Sequence, residues 1–150
     1  MRQMIDKYLG YLLIFLMVLI TLDVLWGVFT RYALGSQASW SEELARFLLI
    51  WIGILGAAYA AGQRMHLAIE LLQLRLDQRG RRYLLKIIAG LVLFFAIGVM
   101  VIGGGQLVYL TFILEQRSAA LQLPMGLVYG VIPLSGLLIS YYKLQDLLES

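Results

Sequence analysis

Between Lys86 and Glu115 the chain runs for 28 residues without a charged side chain, and between Arg117 and Lys143 for another 25. Shorter charge-free runs come first: 15 residues from Lys7 to Asp23, 7 more to Arg31, and 17 from Arg46 to Arg64. A helix crossing a bilayer needs about 20 mostly apolar residues, roughly 17–25. The pattern therefore predicts an all-α integral membrane protein of four helices in a single membrane domain, 1–150, with spans at about 8–30, 43–63, 86–113 and 121–142. The first span could be taken for a signal peptide. Its length and the lack of a small-x-small cleavage site after Val28 argue for a retained helix.

Composition agrees. The chain is 61% hydrophobic and 14% charged, against roughly 45–50% and about 25% in soluble domains. With no cysteine and one histidine, it has no disulfide framework, thiolate metal site or HExxH zinc site. No nucleophile–base set and no nucleic-acid signature is present, so neither an enzyme nor a cofactor is expected.

Lys and Arg set the expected orientation. With the N-terminus cytoplasmic, the inside set is Arg2, Lys7, Arg64, Arg75, Arg79, Arg81, Arg82, Lys86 and Lys143. The outside set is Arg31, Arg46 and Arg117. This bias predicts that both termini are cytoplasmic. Membrane lipids are the expected surroundings, with the basic inner segment against anionic headgroups.

The first outside loop ends on Ser39-Trp40-Ser41-Glu42-Glu43. Ser39 and Glu42 match the spacing of a capping box, with the hydroxyl and carboxylate each satisfying an orphan amide. Trp40 suits the headgroup level, and Arg46 is spaced to meet Glu42 and Glu43 on one helix surface. In the inside loop, His66, Glu70, Gln73 and Asp77 form a polar stripe opposite leucines. That stripe predicts a short interfacial helix between spans two and three, ended by Gly80. His66 itself reads as an interfacial loop residue.

Three features concern packing inside the membrane. Gly103-Gly104-Gly105 and the Gly126/Gly130 pair would let another helix or a bend come close. Pro124 suits the start of the fourth helix, and Pro133 should kink its middle. Asp23 is an acid inside the first span, where a charge costs roughly 2.5–3.5 kcal/mol on insertion scales. Counting residues from the loop puts Asp23 and Arg46 at similar depth, which predicts an intramembrane ion pair between them.

Arg31-Tyr32, Trp40-Ser-Glu-Glu-Leu-Ala-Arg46, Trp51, Gly56-Ala57-Ala58, His66-Leu67, Ser118-Ala-Ala-Leu-Gln-Leu-Pro124 and Val131-Ile-Pro133 follow in that order. In length, span number, topology and motif order this resembles the small, Q-type membrane subunit of tripartite ATP-independent periplasmic (TRAP) transporters. The resemblance implies a multi-pass subunit in the bacterial inner membrane. It implies a scaffold beside a large M-type, elevator-type subunit that carries organic acids with sodium, fed by a periplasmic substrate-binding protein. It singles out Trp40, Glu42, Glu43, Arg46 and His66 as assembly or docking positions, with no catalytic, substrate-binding or metal role.

The alternative is a small homodimeric, proton-coupled exporter with Asp23 as its coupling site. The strong Lys/Arg bias and the sizeable inside loop fit that reading poorly.

Overall fold

The computed structural model describes residues 2–36, 38–63 and 78–149. Within them lie four helices long and apolar enough to cross a membrane: Arg2–Ala33, Ser39–Gly62, Tyr83–Ile113 and Met125–Leu148. The chain is an all-α, multi-pass membrane protein. Helix α1 (Arg2–Ala33) has 32 residues, about 48 Å at 1.5 Å per residue, well beyond the roughly 30 Å hydrocarbon thickness. It stops where Leu34 N–H bonds the Thr30 carbonyl and Gly35 takes a left-handed φ of 77°, a backbone shape open to glycine at no steric cost.

Helix α2 (Ser39–Gly62) returns antiparallel to α1. The Ser41 hydroxyl donates to the Asp23 carbonyl at 3.1 Å, Gly10 faces the Tyr59 ring, and Arg2 reaches the Gly62 carbonyl. A Cβ on Gly62 would sit 2.8 Å from Tyr142 Cζ, so the close approach of the fourth span depends on that missing side chain.

The third span begins as α3 (Gln78–Phe95), continues as a π-helical segment Ala96–Gly103, and ends as α4 (Gly104–Ile113). The fourth is α5 (Met125–Tyr129), a turn at Gly130, then α6 (Val131–Glu149). These two spans meet through glycines. A Cβ on Gly104 would lie 2.8 Å from Ile132 Cγ2, and one on Gly136 would lie 2.7 Å from Met100 Cβ. Gly126 lies against the Phe112 ring, whereas Gly103 and Gly105 meet no packed side chain. The close approach expected of the glycine-rich segment is thus made by Gly104, and that expected of the Gly126/Gly130 pair by Gly126.

The core joins α1, α2, the π-helical segment and α6 through Leu9, Leu16, Leu48, Leu55, Ala58, Ala96, Val131 and Ile139. The fourth span is its centre: 39% of its apolar window is buried, against 11% for the third. Large apolar side chains such as Phe94, Leu91 and Phe29 point outward instead, as a lipid solvent permits.

Several sequence expectations shift. The fourth span starts at Met125, with Pro124 as its cap residue, because residues 119–121 form a turn outside it. Its break falls at Gly130 rather than at Pro133. Pro133 has no N–H for the carbonyl one turn earlier, so the ladder fails upstream of the ring and glycine absorbs the bend. Gly80 lies inside α3 and does not end a helix. The rest of the expected interfacial helix, residues 64–77 with His66, falls outside the described residues.

Candidate functional site

At the end of the bundle that carries the α1–α2 connection, α2 begins one residue earlier than a capping box would require. Ala38 is the cap residue, in extended conformation, and no side chain caps the helix. The Ala38 N–H points to the Thr30 hydroxyl at 3.5 Å, which ties this residue to α1. The Ser39–Glu42 capping box is therefore absent. Ser41 takes up the bond to α1, and Glu42 turns outward to accept from Arg46 Nη2 at 3.2 Å. Both members of that pair are largely exposed, and Trp40 is partly exposed beside them in the first turn.

Glu43 points the other way. Its Oε1 accepts the Ala119 N–H at 3.0 Å, and its Oε2 accepts those of Ala120 and Leu121 at 2.8 Å each. Three successive amides at the start of a turn have no carbonyl of their own to bond, and one carboxylate satisfies all three. Bonds within the turn add to these. Ser118 N–H donates to the Leu123 carbonyl at 2.9 Å, the Leu123 N–H donates to Ser118 Oγ at 3.1 Å, and Met125 N–H donates to the Gln116 carbonyl at 2.9 Å. Gln122 holds a left-handed φ of 54°, and its side-chain amide donates to the Ala119 carbonyl. About two turns farther along α2, Trp51 Nε1 donates to the Val128 carbonyl at 3.0 Å. Two side chains of α2, Glu43 and Trp51, thus hold the loop before the fourth span and the start of that span.

Asp23 and Arg46 are not partners. Asp23 is buried and neither carboxylate oxygen has a hydrogen-bond partner, while Arg46 is exposed and bonded to Glu42. The depth estimate fails because α1 extends ten residues past Asp23 to Ala33. The Ser41–Asp23 bond sets Asp23 level with the first turn of α2, and Arg46 lies five residues, about 7.5 Å, farther along.

The opposite end carries a cluster that charge counting did not reveal. Arg2 Nη1 bonds Asp146 Oδ1 at 3.0 Å, and Lys143 Nζ bonds Asp146 Oδ2 at 3.3 Å. The Tyr142 hydroxyl donates to Asp6 Oδ1 at 2.5 Å, with the Arg2 guanidinium 5.4 Å from the Tyr142 ring centre. Arg2 and Lys143 entered the sequence reading only as topology signals. The available clue was that Asp6 and Asp146 sit just beyond the ends of apolar runs, next to those bases. Among the described residues, no group of His, Cys, Asp and Glu could hold a metal ion.

The comparisons with known proteins agree on one family. The model described as "Tripartite ATP-independent periplasmic transporters, DctQ component" matches residues 17–150. A TRAP transporter small permease protein of Haemophilus influenzae is 27% identical over 150 residues, 100% of this chain and 91% of that protein. The C4-dicarboxylate TRAP transporter small permease protein DctQ of Rhodobacter capsulatus is 32% identical over 111 residues, 74% of this chain and 48% of that protein. The isethionate TRAP transporter permease protein DctMQ of Oleidesulfovibrio alaskensis is 32% identical over 114 residues, 75% of this chain but 18% of that protein.

Proposed function

The chain belongs to the DctQ component family of the TRAP transporters, and on that premise we propose that it is the small scaffold subunit of a sodium-driven, binding-protein-dependent importer of organic acids. Its partners are a large, elevator-type M subunit and a periplasmic substrate-binding protein, and its place is the bacterial inner membrane. The observation that carries this reading is the division of the molecule into two ends that hold the charged, bonded side chains and a largely apolar middle, in which the Ser135 hydroxyl is buried. Glu43, Ser41 and Trp51 tie the spans at one end, and Arg2, Asp6, Tyr142 and Asp146 tie them at the other. The buried cluster between them is aliphatic. A carrier needs charged or strongly polar groups near mid-depth. A bundle pinned at both ends suits a part that stays still while a neighbour moves.

The relatives' names support the substrate class: a C4-dicarboxylate and isethionate are both organic anions. The DctMQ protein supports the large partner, because this chain matches only 18% of a much longer permease. Orientation rests on the Lys/Arg bias, which puts the end bearing Glu43 and the 118–124 loop on the periplasmic side. On this reading Trp40, Glu42, Glu43, Arg46 and His66 serve assembly or docking. No comparison supports the exporter alternative.

The test is uptake in proteoliposomes under an inward sodium gradient. This chain with a large TRAP permease and its binding protein should accumulate the organic acid that the binding protein carries. The chain alone should accumulate none, and uptake by the chain alone would end the scaffold reading.

A further inference from the structure

The Glu43 carboxylate already accepts three amides, so little of its bonding capacity is left for another molecule. The loop it holds is the part turned outward. Ala119, Ala120, Gln122 and Leu123 are exposed, Leu123 to 41%. Several of the loop's groups are already bonded: the Ser118 N–H to the Leu123 carbonyl, the Leu123 N–H to Ser118 Oγ, the Gln122 side-chain amide to the Ala119 carbonyl, and the amides of residues 119–121 to Glu43. A loop ordered in advance loses less entropy when something binds it.

We propose that Glu43 is a positioning residue for docking: its carboxylate fixes the 118–124 loop as the surface that the soluble binding protein meets, and Glu43 itself makes no contact with that protein. This rests on the reading of the chain as a TRAP small subunit with this end outward, and it replaces a direct docking role for Glu43 with an indirect one. Glu42, the residue before Glu43 on α2, pairs with Arg46 on the exposed surface of that helix.

The experiment uses the complete reconstituted transporter, with uptake measured as a function of binding-protein concentration. Glu43→Ala should raise the half-saturating concentration about tenfold while the plateau rate holds, because each encounter must now order the loop. Added formate should refill the amide nest and lower the half-saturating concentration toward the unmodified value. Chloride at equal ionic strength should not, and neither salt should change the unmodified complex. Leu123→Ser leaves the nest intact and trims only the exposed side chain, so it should raise the half-saturating concentration as well.

The proposal falls if Glu43→Ala leaves that concentration unchanged, if only the plateau drops, or if chloride rescues as well as formate. Should Glu43→Ala fail to assemble, Leu123→Ser decides alone, and an unchanged half-saturating concentration there overturns the proposal. If uptake by the unmodified complex does not depend on binding protein at all, the functional reading falls and this proposal with it. If it does depend, and neither variant shifts it, only the positioning role is lost.

Discussion

The Tyr142 hydroxyl, near the end of the fourth span, donates to a carboxylate oxygen of Asp6, near the start of the first, at 2.5 Å. Gly62 of α2 lies against the same tyrosine ring, where any Cβ would come within 2.8 Å of Cζ. One aromatic side chain therefore joins three of the four spans, and Arg2 closes over it from outside. A bond to a charged group is worth about 1.5–3 kcal/mol net. Tyr142→Phe should lower the thermal unfolding temperature of the purified subunit in detergent by several degrees. Asp6→Asn on top of it should add much less than it costs alone. Additive losses would show that the two side chains do not act together.

Gly104 and Gly105 are adjacent yet differ in what a methyl group would meet. At Gly104 it would press into Ile132 and Pro133, and at Gly105 it would enter open space. Gly104→Ala should destabilise the isolated subunit by about 1–3 kcal/mol, the usual cost of overpacking. Gly105→Ala should be neutral or stabilising by up to about 1 kcal/mol through helix propensity. Unfolding of both variants in the same detergent checks the contrast, and equal effects would contradict the packing described between the third and fourth spans.

Asp23 and Arg46 should behave independently. A double-mutant cycle of Asp23→Asn with Arg46→Gln on subunit stability should be additive within about 0.3–0.5 kcal/mol. Arg46→Gln alone removes only an exposed pair with Glu42, worth about 0–1 kcal/mol. Ser41→Ala should cost more, because it strips a buried bond to the Asp23 carbonyl of about 0.5–1.5 kcal/mol. Coupling between Asp23 and Arg46 would mean that α1 and α2 sit in a different register.

Charge spacing made the four spans legible, because a charge-free run of membrane length has few other uses. The closeness of Gly104 to the fourth span was foreshadowed in kind, since small residues in lipid mark helix contacts. The register between α1 and α2 was not legible. It depends on how far α1 overshoots the loop, and no local pattern encodes that length. The same ambiguity produced the mistaken Asp23–Arg46 pair. Glu43 stands out in the sequence beside Glu42 and Arg46, but its partners lie 76 to 78 positions away and are backbone amides, which leave no trace in residue type. The polar cluster around Tyr142 went unread for a related reason: bases near span ends carry a topology signal strong enough to hide a structural one.

The reading as a small TRAP subunit is tested most directly by asking what the chain holds on to in the membrane. Tagged and co-expressed with a large TRAP permease, then extracted in mild detergent, it should co-purify with that permease at one-to-one stoichiometry. A four-helix membrane protein of another family, carrying the same tag, should not. Recovery of the chain without the permease, under conditions where the permease is itself folded and present in the extract, would contradict the assignment of this chain as a scaffold subunit.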